Sequence, residues 1–458
     1  MGRLLVPLAG ALLCAAAAFA QTETPGPPAA SSDQNYHVYT ERPRIFLRPQ
    51  RLRLLRRERE RQSLRWQQFN LLMSGKAPMP EAGFANALYY QVSGNDAYGK
   101  QAVTWALTPA ATDLRQLAFI FDWCQDLLTD AQAKTLTAKL THGIEATANS
   151  GKIPDIRSRT LAAAALADRA PDVTATVMEQ TVRRWWEETI APALKAGRRV
   201  IQREDAPALY EILHVVRDNL NYDLRDSAPR FFKDFPLDHL ISHYPAIFPA
   251  ADGEYRIPAA LHIKEPDLRE AALSRAAELS MVAFDSNSPE SQVLQGWLMD
   301  DHFLMRGTFG ITYEFLWANP YQPGLSYYHV PLIFHDETFG RLFIRSSWDE
   351  AASWLGVFEG EAQLFQDGKV TVLNPQISAG PFPMTEALVF FGSGKMKFNV
   401  KLEEEEAVFI LGLKPKQKYD IELDNREMYE TTADPGGIIQ LAVPRKTEIG
   451  VRLRAAGS

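Results

Sequence analysis

"LFIRSSWDEAASWLGVFEGEAQLFQDGKVTVLNP", residues 342–375, has the composition of β-strands, whereas most of the chain before it has the pattern of helices. Its segments are short, rich in β-branched and aromatic residues, and separated by Gly, Pro, Asp or Asn, which is typical of strands and tight turns. Asp367-Gly368 predicts a two-residue type I′ hairpin, because that turn needs positive φ at both positions. Similar segments continue to the C-terminus, so we predict an antiparallel β-sandwich over residues 321–458.

Helical patterns follow one another at short spacing over residues 43–320. In one helical hairpin Gly94 is expected to end the first helix and Asn95 or Asp96 to cap the second, and in the next hairpin Thr129 or Asp130 is the expected cap. The pairs have apolar inner faces and no strict sequence repeat, which favours a toroid or solenoid of antiparallel helices. The predicted fold class is therefore multidomain, α then β.

Length and composition limit the possible functions. A chain of 458 residues with 46 % hydrophobic and 23 % charged residues is typical of a globular protein of two or three domains. The net charge of −7 and the lack of a concentrated basic surface argue against a nucleic-acid partner. Nucleotide-binding glycine motifs, C-x-x-C pairs and H-E-x-x-H are absent, so no cofactor is predicted.

The first twenty residues have the pattern of a secretory signal peptide. Basic Arg3 precedes an apolar run, and Ala18-Phe19-Ala20 fits a cleavage site after Ala20. Residues 21–42, rich in Pro, Ser and Thr, are predicted to be a linker. No second apolar segment approaches membrane-spanning length, so we expect a periplasmic or secreted protein with no membrane partner once the signal is removed.

Two histidines, His239 and His243, stand four residues apart in DHLISHYPAIF. On a helix this spacing places both rings on one face, as metal ligands often are. No third ligand is evident in the sequence. We therefore predict no metal site, and whether a metal binds His239 and His243 stays open.

The segment DAPALYEILHVVRDNLNYDL predicts an amphipathic helix with a second, polar face. Its buried stripe is expected to be Leu209, Leu213, Val216 and Leu220. The adjoining face carries a phenol, an imidazole, a guanidinium and an amide, at Tyr210, His214, Arg217 and Asn221. These groups either line a cleft together or form an ordinary polar helix surface.

Four stretches carry a family resemblance: ERPRIFLRPQRLRLLRRERE, LYYQVSGNDAYGKQAVTWAL, LAFIFDWCQDLLTDAQ and LFIRSSWDEAASWLGVFEG. Together they resemble the heparinase II/III family of polysaccharide lyases, over most of the chain from about Pro43 to Asn374. The resemblance implies an incomplete (α/α) toroid followed by a β-sandwich. It also implies cleavage of an acidic polysaccharide by β-elimination, with the glycan in the cleft between the two domains.

The implied reaction makes specific demands on side chains. A donor must offset the uronate carboxylate so that the neighbouring proton can be removed, and His or Tyr must take that proton and protonate the leaving oxygen. The resemblance makes Tyr210 a candidate acid or base, although the usual glycine ahead of it is missing. In the middle helices it leaves Arg157 and Arg159 to offset the carboxylate. On the early strands it expects a histidine, yet none follows His335.

We therefore predict an exported heparinase II/III-like protein that binds an acidic, uronate-containing polysaccharide and, if it is active, cleaves it by β-elimination. Tyr210 and His214 are the predicted proton-transfer groups. The predicted substrate-binding residues are Arg217, Asn221, Arg157, Arg159, His329 and His335. Two alternatives stay open: a catalytically inactive glycan-binding or structural protein on the same scaffold, and an (α/α)-toroid glycoside hydrolase with two carboxylates across its cleft.

Overall fold

The computed structural model describes residues 36, 38–39, 41–251, 253–262, 265–301, 307–375, 381–392, 394–402, 406–425, 427–443 and 448–457. The predicted signal peptide and most of the predicted linker lie outside these residues. Within them the chain is helical first and then forms sheets, as the sequence predicts. No helix in the described ranges combines the length and the apolar character needed to cross a bilayer.

The helical part contains fourteen described α-helices. They are α1 Pro49–Glu60, α2 Leu64–Ser74, α3 Ala82–Ser93, α4 Asp96–Leu107, α5 Leu114–Trp123, α6 Asp130–Thr147, α7 Ile153–Ala165, α8 Pro171–Glu179, α9 Ala191–Lys195, α10 Ala206–Leu220, α11 Pro229–Ile241, α12 Leu268–Phe284, α13 Pro289–Asp300 and α14 Gly307–Trp317. A π-helical segment, Gln180–Ile190, joins α8 to α9, and a 3-10 turn, Arg203–Asp205, precedes α10.

Local sequence signals set several helix ends. Gly94 ends α3 in the left-handed conformation at φ 73°, which only a residue without a Cβ adopts at little cost. The Asn95 side chain accepts a hydrogen bond from the backbone N–H of Ala97 at the start of α4. Thr129 and Gln132 form a reciprocal capping box at α6. The predicted ends at Gly94, Asn95 and Thr129 are confirmed.

Alternate helices pack side by side in chain order. Each helix of one series contacts the next, in the order α3, α5, α7, α10, α12 and α14. Helix α14 also packs on α2 and α3. Among the helices between them, α4 contacts α3 and α5, and α6 contacts α5 and α7. Every residue of α5 is buried, because this helix is covered by neighbours on all sides.

A β-hairpin interrupts the helices at a place where the sequence was expected to stay helical. Strands β1 (His243–Ala250) and β2 (Gly253–Pro258) pair in antiparallel fashion, and β2 packs on α12. The expectation of uninterrupted helical hairpins over residues 43–320 is wrong here. Pro245 and Pro249 explain the difference, since proline within a helix removes a backbone hydrogen bond and clashes with the preceding turn.

Three sheets follow α14. Their strands are β3 Ile333–Asp336, β4 Arg341–Arg345, β5 Trp354–Phe358, β6 Glu361–Gln366, β7 Lys369–Leu373, β8 Phe382–Met384, β9 Ala387–Phe391, β10 Lys395–Val400, β11 Ala407–Leu411, β12 Lys418–Leu423, β13 Glu427–Thr432, β14 Ile439–Leu441 and β15 Ile449–Ala455. The first sheet has the order β3-β4-β5-β6-β7, the second β14-β11-β9-β8 and the third β10-β15-β12-β13. Pairing is antiparallel apart from β9 and β11, which run parallel. Asp367 and Gly368 join β6 to β7 with φ of 50° and 73°, which confirms the predicted hairpin.

The three sheets are stacked on the helices in layers. Phe343 and Trp354 on one face of the first sheet belong to the same hydrophobic core as the helices, and the Trp354 indole N–H donates to the carbonyl of Ile241, 2.8 Å away. The opposite face packs on the second sheet, where Phe409 is buried. Ile410, its neighbour along β11, points the other way into the core shared with the third sheet. The second sheet is thus buried on both faces.

Candidate functional site

A cleft of about 310 Å³ lies between the helical part and the first sheet. One wall comes from α9, residues 199–203 and α11, and the other from strands β3 and β4 with the turn between them. Its described lining residues are Leu194, Lys195, Arg199, Ile201, Gln202, Arg203, Ala228, Pro229, Arg230, Phe231, Asp234, Phe235, Asp238, His239, Phe334, Asp336, Thr338, Phe339 and Arg341.

Cations outnumber anions in the cleft, although the chain as a whole is acidic. Five cationic side chains face three carboxylates among the described lining residues: Lys195, Arg199, Arg203, Arg230 and Arg341 against Asp234, Asp238 and Asp336. Charges of one sign between low-dielectric walls concentrate the field in a cleft. The cleft therefore attracts anions.

Arg203 lines the cleft with one of its two terminal nitrogens unsatisfied among the described residues. Its Nη2 donates to the hydroxyl of Ser242 at 2.7 Å, while its Nη1 is buried without a hydrogen-bond partner. Burial first, and then the nearby charge of Arg341, lowers the pKa of Arg203 to about 10. The group stays protonated at neutral pH, so Arg203 keeps a buried donor that no acceptor in the described part of the chain satisfies.

Two neighbouring arginines are held by carboxylates. The Arg341 Nη1 donates to both carboxylate oxygens of Asp238, and Arg199 pairs with Glu359. Burial and the charge of Arg341 lower the pKa of Arg199 to about 10. The arginines thus stand close enough to repel one another, and an anion entering between them relieves that repulsion.

The remaining walls of the cleft are aromatic. Phe231, Phe235, Phe334 and Phe339 are each partly buried, and the rings of Phe231 and Phe235 lie 5.4 Å apart. Aromatic faces pack well on the C–H faces of sugar rings, which are flat and apolar. Arginines beside exposed ring faces therefore suit a ligand that is both anionic and partly apolar.

His239 lies at the inner end of the cleft and belongs to a buried polar cluster. Its Nε2 is 3.1 Å from Glu278 Oε1 and 3.1 Å from Ser274 Oγ, and the Nε2 of His243 is 2.9 Å from the same hydroxyl. The two histidines do not share a helix face, because α11 ends at Ile241 and His243 opens β1. Their rings nevertheless lie 5.2 Å apart, and Glu278 reaches them from α12.

Tyr210 lies outside this cleft. Its side chain is 3 % exposed and packs between the rings of Phe235 and Phe284, 5.9 and 6.5 Å away. It lines a separate cavity of about 250 Å³, near Arg225. Burial raises the pKa of Tyr210 far above its ordinary value, so the phenol keeps its proton.

His214 is a core residue rather than part of a polar helix face. Its Nε2–H donates to the carbonyl of Ser280 at 2.9 Å, and its ring lies 4.4 Å from Trp317 and 5.0 Å from Phe284. Burial, reinforced by the charge of Arg217, holds the pKa of His214 well below its usual range. Because aromatic rings enclose this neutral imidazole, it contacts neither solvent nor a bound polysaccharide.

The other two residues of that predicted face are structural. The Arg217 guanidinium lies 3.8 Å from the ring centre of Phe284 and donates to the carbonyl of the same residue. Asn221 is exposed and ends α10 in the left-handed conformation at φ 53°. Tyr210, His214 and Arg217 therefore meet at one side chain, Phe284, and form no common solvent-facing cleft.

The two predicted arginines of the middle helices also bind protein groups. Arg157 forms an ion pair with Glu211 at 3.3 Å, within a buried network that includes Arg115 and the hydroxyl of Tyr313. Arg159 donates to the carbonyls of Thr147 and Ser150, where α6 ends, as cations commonly do at helix C-termini.

The two predicted strand-side histidines lie in different surroundings. His329 is exposed in the 3-10 turn Tyr327–His329. His335 on β3 is partly buried, with its Nε2 3.0 Å from Asp434 Oδ2 and its ring 5.5 Å from that of Phe409. His335 therefore joins the first sheet to the loop before β14.

Sequence reasoning did not single out Arg199, Arg203 or Arg341. One signal was available for Arg341: strand β4, RLFIR, begins and ends with a charge although all five of its residues are buried. Buried arginines are retained where they meet a carboxylate or a ligand. A second signal was the basic segment 198–203 between two helices.

A scan of protein-family models found none that matches the chain, and a search of curated proteins found no match either.

Proposed function

We propose that this protein binds an acidic, uronate-containing polysaccharide in the cleft between its helices and its first sheet. The observation that carries the proposal is Arg203, which lines the cleft and whose Nη1 has no hydrogen-bond partner among the described residues. A planar carboxylate is a geometric match for a guanidinium, and charge-assisted hydrogen bonds of this type are among the strongest in proteins. The ligand supplies the acceptor that the protein lacks.

Fold and family belong to the same proposal. The series of alternate helices that returns from α14 to α3 is interpreted as an (α/α) toroid, and the stacked sheets as an elaborated β-sandwich. The resemblance to the heparinase II/III family places its glycan between these two parts. The cleft lies at that junction, which supports the assignment. The signal-like N-terminus supports export to the periplasm or beyond the cell.

Binding is better supported than cleavage. Among the described residues that line the cleft there is no tyrosine, and the one imidazole, His239, is hydrogen-bonded to Glu278. Tyr210 and His214, the predicted proton-transfer groups, are buried elsewhere. Of the alternatives that the sequence leaves open, the catalytically inactive glycan-binding protein therefore fits the geometry best.

The hydrolase alternative finds less support. Two carboxylates, Glu81 and Glu211, approach each other at the inner helices, but both bind the guanidinium of Arg115, each at 2.6 Å. The charge of Arg115 helps to hold the pKa of Glu211 below its usual range despite burial. A glycosidase acid needs the opposite shift.

The binding proposal is tested by titration calorimetry with oligosaccharides of alginate, polygalacturonate, hyaluronan and heparin, and with neutral dextran as a control. We expect at least one acidic glycan to bind with an affinity that falls as salt is raised, and dextran not to bind. Arg203→Gln should weaken that affinity about tenfold or more, since it removes a charge-assisted hydrogen bond. Arg53→Gln, an exposed arginine on α1, is the matched control and should change nothing.

Failure of all four acidic glycans to bind the folded protein would overturn the proposal. Equal losses of glycan affinity in Arg203→Gln and Arg53→Gln would overturn it as well. Cleavage is examined in the same samples through the ultraviolet absorbance of unsaturated uronate. Binding without new absorbance supports the non-catalytic function. New absorbance that disappears with Tyr210→Phe would instead establish the lyase.

A further inference from the structure

The buried cluster beneath the cleft brings together three potential metal ligands from three elements. The Nε2 of His239 from α11, the Nε2 of His243 from β1 and a carboxylate oxygen of Glu278 from α12 all lie within 4.8 Å of one another. Glu278 Oε1 is 3.1 Å from the first nitrogen and 3.7 Å from the second. Two ligands of a tetrahedral zinc ion, each about 2.0–2.1 Å from it, stand roughly 3.4 Å apart, so this spacing suits zinc closely.

The surrounding hydrogen bonds prepare these atoms for a cation. The His243 Nδ1–H donates to the carbonyl of His239 at 2.8 Å, which leaves the lone pair of its neutral ring on Nε2. Metal-binding histidines usually donate their other N–H in this way. Glu278 is 1 % exposed, and its second oxygen has no hydrogen-bond partner. Arg275 is the cation near this oxygen, so Oε1, which faces both imidazoles, is the oxygen that can bind a metal.

Arginines and aspartates surround the cluster and compensate one another in part. Arg256 bonds to both Asp300 and Asp301, and Arg275 bonds to Asp301, so two arginines and two aspartates largely compensate one another. Arg275 also forms an ion pair with Glu278, whose Oε2 lies 3.3 Å from Arg275 Nη1, although the two atoms are not hydrogen-bonded. The Glu278 carboxylate offsets one of the two positive charges of a divalent ion bound there.

We propose that His239, His243 and Glu278 bind a zinc ion, or another divalent transition metal that accepts imidazole ligands. The Ser274 hydroxyl or a water takes the fourth position, because Ser274 Oγ lies beside both nitrogens. Binding requires the His239 proton to reside on Nδ1. The ion ties α11, β1 and α12 together, and this role does not rest on the proposed glycan binding.

The test uses the full chain purified without a polyhistidine tag. Metal content is measured by mass spectrometry after dialysis, and zinc affinity by competition with a chromophoric chelator. We expect one zinc per chain and, after replacement by Co²⁺, the visible absorbance of a tetrahedral site. His243→Gln and Glu278→Gln should each weaken zinc binding by at least tenfold, whereas His142→Gln, an exposed histidine on α6, should not.

A wild-type protein that takes up no stoichiometric zinc and shows no cobalt spectrum overturns the inference. So does a protein that binds Mg²⁺ or Ca²⁺ as tightly as zinc, because those ions prefer oxygen ligands. If the variants fail to fold, the wild type alone still decides: added zinc must raise its unfolding temperature in a concentration-dependent manner, and the absence of such a shift contradicts the site.

Discussion

Arg341 Nη1 donates to both carboxylate oxygens of Asp238, at 2.7 and 2.6 Å, and this pair joins strand β4 to helix α11 across the cleft. Arg341 is largely buried, whereas the Asp238 side chain is about one-fifth exposed. The pair therefore fixes the spacing of the two cleft walls in surroundings where water screens it only in part.

Removal of one partner from this pair should destabilise the protein. We expect Arg341→Met to lower the free energy of unfolding by about 3 kcal/mol, because it leaves the Asp238 carboxylate without its cation. The double variant Arg341→Met, Asp238→Leu should lose less than the sum of the two single variants. Urea unfolding of the four proteins measures this coupling. Strict additivity would show that the pair contributes nothing.

The packing of the first sheet on the helices depends on Trp354, whose ring is fully buried and whose N–H donates to Ile241. Trp354→Ala should lower the free energy of unfolding by about 3–5 kcal/mol, since it leaves a large cavity and an unsatisfied carbonyl. Val372→Ala on the same sheet is the control. Its side chain is 54 % exposed, so a change within about 0.5 kcal/mol is expected in guanidinium unfolding.

The Cys124 thiol should be unreactive toward alkylating reagents in the folded protein. The thiol is fully buried at the end of α5, and burial raises its pKa far above the ordinary value. Thiolate is the reactive form, so iodoacetamide should leave the Cys124 peptide unmodified in native buffer and modify it completely in guanidinium. Mass spectrometry of the digested peptides reads this out. Native labelling as fast as denatured labelling would contradict the burial.

His214 should make the protein acid-sensitive. Its pKa is lower in the folded protein than the value of 6.5 in an unfolded chain, so the unfolded chain binds the additional proton. The free energy of unfolding should therefore be highest above pH 6.5 and fall as the pH decreases below it. The charged groups that face the ring, Arg51, Arg217 and Arg225, are all cations and oppose protonation.

The acid effect is tested with His214→Phe, by thermal unfolding at several pH values. At pH 8 the variant should be less stable by about 1–3 kcal/mol, because the carbonyl of Ser280 loses its donor. Below pH 6.5 its stability should fall less steeply than that of the wild type. His142→Gln should keep the wild-type slope. If the stability of wild type and of His214→Phe falls equally steeply with decreasing pH, His214 is not the origin of the acid sensitivity.

Local sequence signals predicted much of the secondary structure. The order of helices and strands, the caps at Asn95 and Thr129, the glycine at position 94 and the hairpin at residues 367–368 follow from interactions between residues close in the chain. The β1–β2 hairpin was missed although Pro245 and Pro249 indicated it, because one helical interpretation was extended over the whole of residues 43–320.

The candidate site could not be predicted from patterns of residues close together in the chain. Tyr210, His214 and Arg217 were interpreted as a polar face, yet the helix that carries them is covered by neighbours on nearly every side. Helical spacing shows which side chains share a face, but it does not show what lies opposite. The aromatic rings that enclose His214 come from residues 46, 284 and 317, far apart in the sequence.

The sequence by itself determined an α-then-β chain, its turns and its helix ends, since these depend on backbone preferences and hydrogen bonds over a few residues. Only the tertiary structure decided which charges lack a partner. Arg203 and Arg341 meet in one cleft, and Glu278 reaches His239 and His243, because the helices and the first sheet pack against a shared hydrophobic core. That packing determines which charged side chains are buried. A buried charged side chain pairs either with another group of the protein or with a ligand.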